Sequence, residues 1–295
     1  MTMALLEVRR LVKHFVRTSG LWRPPSVVKA VDDVSFTIEE GEMFGLVGES
    51  GSGKSTTGRC LLRLVEPTSG DVLFRGEHVL QFSRARMRQA RRDMQIVFQD
   101  PYSSLNPRMR AGAIVEEPLV IHALGSKAER RDRVAELFAL VGLDTAHLTR
   151  YPHEFSGGQR QRIGIARALA LNPAFIIADE AVSALDVSIQ AQVIRLMLEL
   201  KERLKLTYLF IAHDLRLVEH ICNRVAVMYR GKIVEMGNTR ALFANPAHPY
   251  TQALLSAVPV LDPDTPRQRI ALDLRSFDPD ASLKEVGTSH WAAIS

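Results

Sequence analysis

The stretch that most restricts the fold is "MFGLVGESGSGKST", Met43 to Thr56. It opens as a short apolar run ending in glycine, the kind of strand that a parallel sheet buries on both faces. Gly48 and Gly53 then bracket four residues, Lys54 and Ser55 follow, and "KSTTGRCLLRLVE" reads as a helix stopping before Pro67. Strand, glycine-rich turn and helix start together make a phosphate-binding loop. Glycines let backbone N–H groups point inward at phosphate oxygens, a lysine reaches the β- and γ-phosphates, and a hydroxyl takes magnesium. Here the loop is Gly48, Ser50, Gly51 and Gly53 with Lys54 and Ser55, and Thr56 lies near the α-phosphate. The bland alternative is an incidental glycine turn, which the flanking strand and helix argue against.

Such a loop commits the chain to an α/β architecture, and the rest of the sequence agrees. "AFIIADE", "SIQAQVIRLMLELKERL", "TYLFIAH" and "DLRLVEHICN" alternate strand and helix, which implies a mostly parallel sheet with helices on its faces. "LLEVRRLVKHF" and "VVKAVDDVSFTI" read as strands of a β subdomain, joined by loop chemistry in "RTSGLWRPPS". Helical periodicity dominates from about 111 to about 170, as a helical insertion. "RVAVMYRGKIVEMG" reads as a closing hairpin turning at Arg230-Gly231, and the last 25 or so residues as irregular and polar.

Composition narrows the class. With 295 residues, 46% hydrophobic and 24% charged, the chain is long enough for one large core or two smaller units. Cys60 and Cys222 lie far apart, so neither a disulfide framework nor a zinc or iron–sulfur site is expected. The apolar run in "MTMALLEVRRLVKHF" is too short for a signal peptide, and no window reaches the roughly 18 apolar residues of a membrane span. The net charge of +5 includes one cluster, Arg84, Arg86, Arg88, Arg91 and Arg92. It reads as a solvated helix face or as a surface toward anionic headgroups. Nucleic acid is the other reading such a cluster allows; few aromatics interleave it, which argues against a single-strand stacking platform, and no nucleic-acid partner is expected.

Three strand ends carry candidate chemistry. Asp179 and Glu180 close "AFIIADE", where open parallel sheets put their sites. Asp179 would hold magnesium, directly or through water, and Glu180 would serve as general base toward an attacking water. Two solvated acids are the alternative. His213 ends "TYLFIAH", where it could reach the γ-phosphate, although a lone histidine is more often structural. Gln99 ends "QIVFQ", and its amide could sense magnesium or the γ-phosphate. A fourth feature is "EFSGGQRQRIGIARAL", a helix with Ser156 at its N-cap and two glycines in its first turn. Its bare N–H groups suit a second anion.

Together these stretches resemble the ATP-binding subunit of an ABC transporter. "GESGSGKST" is similar to the Walker A loop, "VFQDP" to the Q-loop, "SGGQ" to the ABC signature and "FIIADE" to the Walker B strand. "SALD", ending at Asp186, is similar to the D-loop, and His213 to the switch histidine. The order and spacing agree over about 5–255. Phe15 is similar in place to the aromatic that stacks on adenine; a core residue is the alternative. "VFQDPYSSLNPRM", "DEAVSALDVSIQAQV" and "HPYTQALLSAVP" resemble the dipeptide and oligopeptide importer branch. Ala181 departs from it, since the family usually has proline there.

The resemblance implies a P-loop NTPase core with an antiparallel β subdomain and an ABC-specific helical insertion. It implies an ATPase domain over 5–245 and a transporter-type extension over 246–295. ATP and magnesium would be bound, the latter by Ser55, Gln99 and Asp179. Catalysis would fall to Glu180, His213 and Gln99. Two ATPase subunits would pack head to tail, so that Ser156, Gly157, Gly158 and Gln159 serve the γ-phosphate held by the partner. The second ATPase is expected to be a paralogue, acting with two permease subunits and an extracytoplasmic binding protein. The location implied is the cytoplasmic membrane face. The rival is a soluble ABC ATPase of DNA repair or translation.

Overall fold

The computed structural model describes residues 4–17, 26–100, 102–257, 270, 272–273, 277–278 and 281–294. In chain order they form β1 (Leu6–Arg17), β2 (Ser26–Ile38), β3 (Met43–Val47), α1 (Lys54–Leu61), β4 (Ser69–Phe74) and β5 (Glu77–His78). Next come α2 (Arg84–Asp93), β6 (Met94–Val97), α3 (Ala111–Ile121), α4 (Lys127–Leu140), α5 (Gly157–Leu169), β7 (Phe175–Asp179) and α6 (Val187–Leu204). The chain closes with β8 (Thr207–Ala212), α7 (Leu215–Ile221), β9 (Arg224–Tyr229), β10 (Lys232–Asn238), α8 (Thr239–Ala244), α9 (Pro249–Ser256), β11 (Lys284–Gly287) and β12 (His290–Ala292). Two compact units emerge, one of residues 1–82 with 209–295 and one of residues 83–208. The interstrand loop read over 17–26 and Pro101 of "VFQDP" lie largely or wholly outside the described residues, as does most of 258–280.

The first unit carries two sheets. One is antiparallel, in the order β2-β1-β4-β5. The other is mixed: β3 pairs with β9 in parallel, β9 with β10 antiparallel, and β12 then β11 extend the antiparallel edge. Strand β8 flanks β3 on its other side. Every residue of β3 is buried, as its apolar run predicts. Phe36 of β2 stacks on Phe44 of β3 with centroids 5.2 Å apart. Burying side chains of this kind stabilises by about 1.5–3 kcal/mol each. The hairpin at Arg230-Gly231 forms as read, with φ of 46° and 88° at the two turn residues. That left-handed pair matches the twist of the flanking strands.

The second unit pairs β6 and β7 in parallel, Met94 with Phe175 through Val97 with Ala178. Helices α3, α4 and α5 lie between these two strands in the chain, and α5 buries Ile163, Ile165, Ala166 and Leu169. Helix α2 is the arginine-rich segment. Ser83 caps it by accepting from the Arg86 N–H at 3.2 Å, and Met87 and Ala90 are its buried residues. Arg84 and Arg88 are exposed.

Two expectations change. Helix α1 ends at Leu61 rather than running to the residue before Pro67. Arg63 takes φ 48°, and the Leu64 N–H turns back to the Arg59 carbonyl at 2.9 Å. The Arg63 guanidinium holds that bend through the Phe82 carbonyl at 2.8 Å and the Glu66 carboxylate at 2.8 Å. The tail is not wholly irregular either. β11 and β12 form a hairpin that extends the mixed sheet, because the His290 ring meets the buried Glu235 carboxylate of β10 at 2.7 Å.

Candidate nucleotide site

The phosphate loop joins β3 to α1 inside the first unit. At Gly48, φ is 147° and a Cβ would come within 2.1 Å of the Met228 carbonyl oxygen, so only glycine lets the chain turn here. Ser50 and Gly51 are exposed, and Ser55 and Thr56 are half-buried in the first turn of α1. Lys54 is buried, and its ammonium donates to the Gly48 and Glu49 carbonyls, each at 2.9 Å. The loop is tied down from outside as well. The Gly231 N–H donates to the Ser52 carbonyl at 2.9 Å, and the Glu49 N–H donates to the Tyr250 hydroxyl at 3.0 Å. The loop therefore presents an inward lysine and a glycine-curled backbone, the parts an anion cradle needs.

His213 and Phe15 belong to the same unit. His213 is exposed, just past the end of β8, and Asp214 beside it caps α7 by accepting from the Arg216 and Leu217 N–H groups. Phe15 is 40% exposed on β1 with the Lys13 ammonium 4.8 Å from its ring centre. It is thus an accessible aromatic face rather than a core residue.

The second unit gathers the other candidates. β7 is buried throughout and ends at Asp179, which is 3% exposed. Glu180 follows with φ 48°, a conformation that costs a non-glycine residue free energy and that clusters at functional sites. Ser183 returns both its N–H and its hydroxyl to the Glu180 carbonyl, at 3.1 and 3.0 Å. Gln99, two residues past β6, donates from Nε2 to Glu180 Oε2 at 2.9 Å. The amide orientation is dictated, since the reverse would set oxygen against oxygen. Ala181, the next residue, is buried.

Helix α5 starts as read. The Ser156 hydroxyl accepts from the Gln159 N–H at 3.3 Å, and the Gln159 amide oxygen accepts from the Ser156 N–H at 3.0 Å, closing a capping box. The hydroxyl keeps its own proton to donate, so the box and an anion do not compete for it. A Cβ on Gly158 would sit 2.4 Å from Ile189 Cγ2, so glycine allows the start of α5 to touch the start of α6. Asp186, exposed, occupies the N-cap position of α6.

Residues 31–183 match the ABC transporter family, and residues 234–279 match the C-terminal region of oligopeptide/dipeptide transporters. The chain is 57% identical to the oligopeptide transport ATP-binding protein OppF of Bacillus subtilis, over 100% of this chain and 94% of that one.

The chain belongs to the ABC transporter ATPases.

Other relatives agree. The glutathione import ATP-binding protein GsiA of Salmonella typhimurium is 53% identical over 98% of this ABC ATPase, which spans only 48% of that longer protein. Among solved structures, the dimeric post-hydrolysis ATP-binding cassette MJ0796 bound to ADP and Pi superposes with a TM-score of 0.70 at 30% identity, covering 80% of this chain and 99% of that one. CbiO1 of Clostridium perfringens gives 0.70 at 26% identity over 82% and 91%. The ABC ATPase therefore has the expected α/β P-loop fold, and it binds and hydrolyses ATP. Sequence reasoning gave no role to Tyr250. Its signal was present in "HPYTQ", but the hydroxyl meets the loop across 201 residues.

Proposed function

We propose that this ABC ATPase powers import of peptides or a related small solute through separate permease subunits. The observation that carries the reading is one chain with both an ABC ATPase region and an oligopeptide-transporter C-terminal region. The naming of OppF as an oligopeptide transport protein supports it, and both matches speak for import over DNA repair or translation. The reading divides the chain into an ATPase domain over 5–245 and an extension over 246–295. No helix among the described residues is long and apolar enough to cross a membrane. The reading gives the permeation path to the permease subunits. The protein then sits peripherally at the cytoplasmic face with a paralogous ATPase and two permeases, and an extracytoplasmic binding protein delivers the solute.

In this mechanism Lys54 and the loop amides hold the β- and γ-phosphates, and Phe15 offers its exposed face to the adenine. Glu180 accepts the proton of the attacking water, oriented by Gln99 through their hydrogen bond. His213 contacts the γ-phosphate. Ser156, Gly157, Gly158 and Gln159, with Asp186 nearby, engage the nucleotide held by the partner ATPase. Magnesium is the expected ion, and the donor set fits it: Ser55 hydroxyl, Gln99 amide oxygen and Asp179 carboxylate are hard oxygens. Hard oxygen donors of this kind are what magnesium prefers. When bound, magnesium would neutralise charge on the β- and γ-phosphates.

The test is affinity purification of Glu180→Gln from native membranes with and without ATP-magnesium, read by mass spectrometry. Import predicts co-purification of a second ATPase and two membrane permeases. Recovery of ribosomal or repair proteins in their place would reject it.

A further inference from the structure

The C-terminal extension reaches the phosphate loop through one side chain. Tyr250, the second residue of α9, is 1% exposed, and its hydroxyl accepts from the Glu49 N–H at 3.0 Å. That N–H and the Gly48 carbonyl belong to one planar peptide unit. The Gly48 carbonyl accepts from the Lys54 ammonium at 2.9 Å. The tyrosine and the loop lysine therefore grip opposite ends of the same peptide plane. Rotating that plane breaks both contacts.

The grip is itself anchored. The Tyr250 ring packs on Tyr229 with centroids 4.4 Å apart. His248 caps α9, its Nδ1 accepting from the Tyr250 N–H at 3.0 Å. The residues leading into α9 are fixed by Glu235, which is fully buried and accepts from the Ala247 and His248 N–H groups at 2.7 and 3.1 Å. Glu235 is held in turn by His290 of β12 at 2.7 Å. A series of contacts thus runs from the end of the extension to the second residue of the phosphate loop. Burial pushes the Tyr250 phenol up to about 12, so it brings no negative charge toward bound phosphate.

We propose that Tyr250 is a positioning residue for ATP binding, by which the C-terminal extension holds the Gly48–Glu49 peptide, and through it Lys54, in the phosphate-binding orientation. The proposal rests on the reading of Gly48 to Thr56 as the ATP loop. It gives the extension a task inside its own chain, independent of any partner. Loss of the hydroxyl leaves the ring in place but leaves the peptide held at its carbonyl end alone, so ATP must reorder the loop as it binds.

The experiment measures affinity for a fluorescent ATP analogue with full-length wild type, Tyr250→Phe and Lys54→Ala. Thermal unfolding without nucleotide and peptide-level hydrogen exchange over 48–53 accompany it. The expected result for Tyr250→Phe is dissociation about five- to tenfold weaker, the scale of one hydrogen bond. Exchange across the loop should be faster, with kcat at saturating ATP within about twofold and the unfolding midpoint little moved. Wild-type affinity in Tyr250→Phe beside a clear loss in Lys54→Ala overturns the role of the tyrosine alone. Unchanged binding in Lys54→Ala overturns the loop reading and the proposal with it. Should Tyr250→Phe fail to fold, residue-resolved exchange on the wild-type chain still decides: a protected Glu49 amide supports the contact, and one exchanging at the unprotected rate contradicts it.

Discussion

Gln99 Nε2 donates to Glu180 Oε2 at 2.9 Å, joining the second residue past β6 to the acid that follows β7. An amide held on the candidate base restricts where that carboxylate points. Glu180 sits at φ 48°, and the Ser183 contacts hold its backbone there. Orientation is thereby fixed on both the backbone and the side-chain side.

Glu180→Gln should lower kcat by about 10²- to 10⁴-fold, the usual contribution of a general base, and leave ATP binding intact. Gln99→Ala should cost less in kcat, about tenfold, because it loosens the base without removing it, and should raise the magnesium concentration needed for half-maximal rate, because it also removes a proposed magnesium donor. Steady-state hydrolysis together with equilibrium nucleotide binding checks both. Equal rates in wild type and Glu180→Gln would remove Glu180 from the mechanism.

Gly158→Ala tests the signature helix. The added methyl would lie 2.4 Å from Ile189 Cγ2, and a β-branched neighbour has few rotamers with which to yield. The start of α6 must shift away from the start of α5. Hydrolysis should fall at least about tenfold, while nucleotide binding to the isolated subunit, which uses the Lys54 loop, should stay near wild type. A fully active variant would count against any role for that junction.

Acid sensitivity should trace partly to His248. Burial lowers its pKa below the ordinary 6.5, more than the neighbouring Glu235 carboxylate raises it. The unfolded chain therefore takes up this proton first. The contribution is fully present above pH 6.5 and is lost as pH falls below it. Protonation would also place a hydrogen on Nδ1, the atom that accepts the Tyr250 N–H. His248→Asn keeps an acceptor at the cap without the titration. The drop in melting temperature between pH 7.5 and 5.5 should be smaller in that variant than in wild type.

Both cysteines should resist alkylation in the folded protein. Cys60 and Cys222 are buried, and burial pushes the Cys60 thiol up to about 11 and Cys222 higher still, so neither offers thiolate. Iodoacetamide should label neither under native conditions and both in denaturant, as read by intact mass.

Local signals were legible in the sequence where the chemistry was local. The capping box at Ser156 and Gln159 could be read because its partners lie three residues apart. The phosphate loop and the Arg230-Gly231 turn likewise carry their own backbone requirements. The end of α1 was hidden because Arg63, not glycine, takes the left-handed turn, and its stabilising carbonyls come from 79 and 82. The β11–β12 hairpin was hidden because its strands are short and weakly patterned, and a buried carboxylate 55 residues away holds His290. Tyr250 was missed for the same reason: its role depends on a contact no spacing rule encodes.

The most direct test of the account is uptake of a labelled oligopeptide by cells lacking the native copy and complemented with wild type or Lys54→Ala. Wild type should restore accumulation and Lys54→Ala should leave it at the deletion background. Equal peptide uptake by deletion, wild-type and Lys54→Ala cells would contradict the assignment to peptide import.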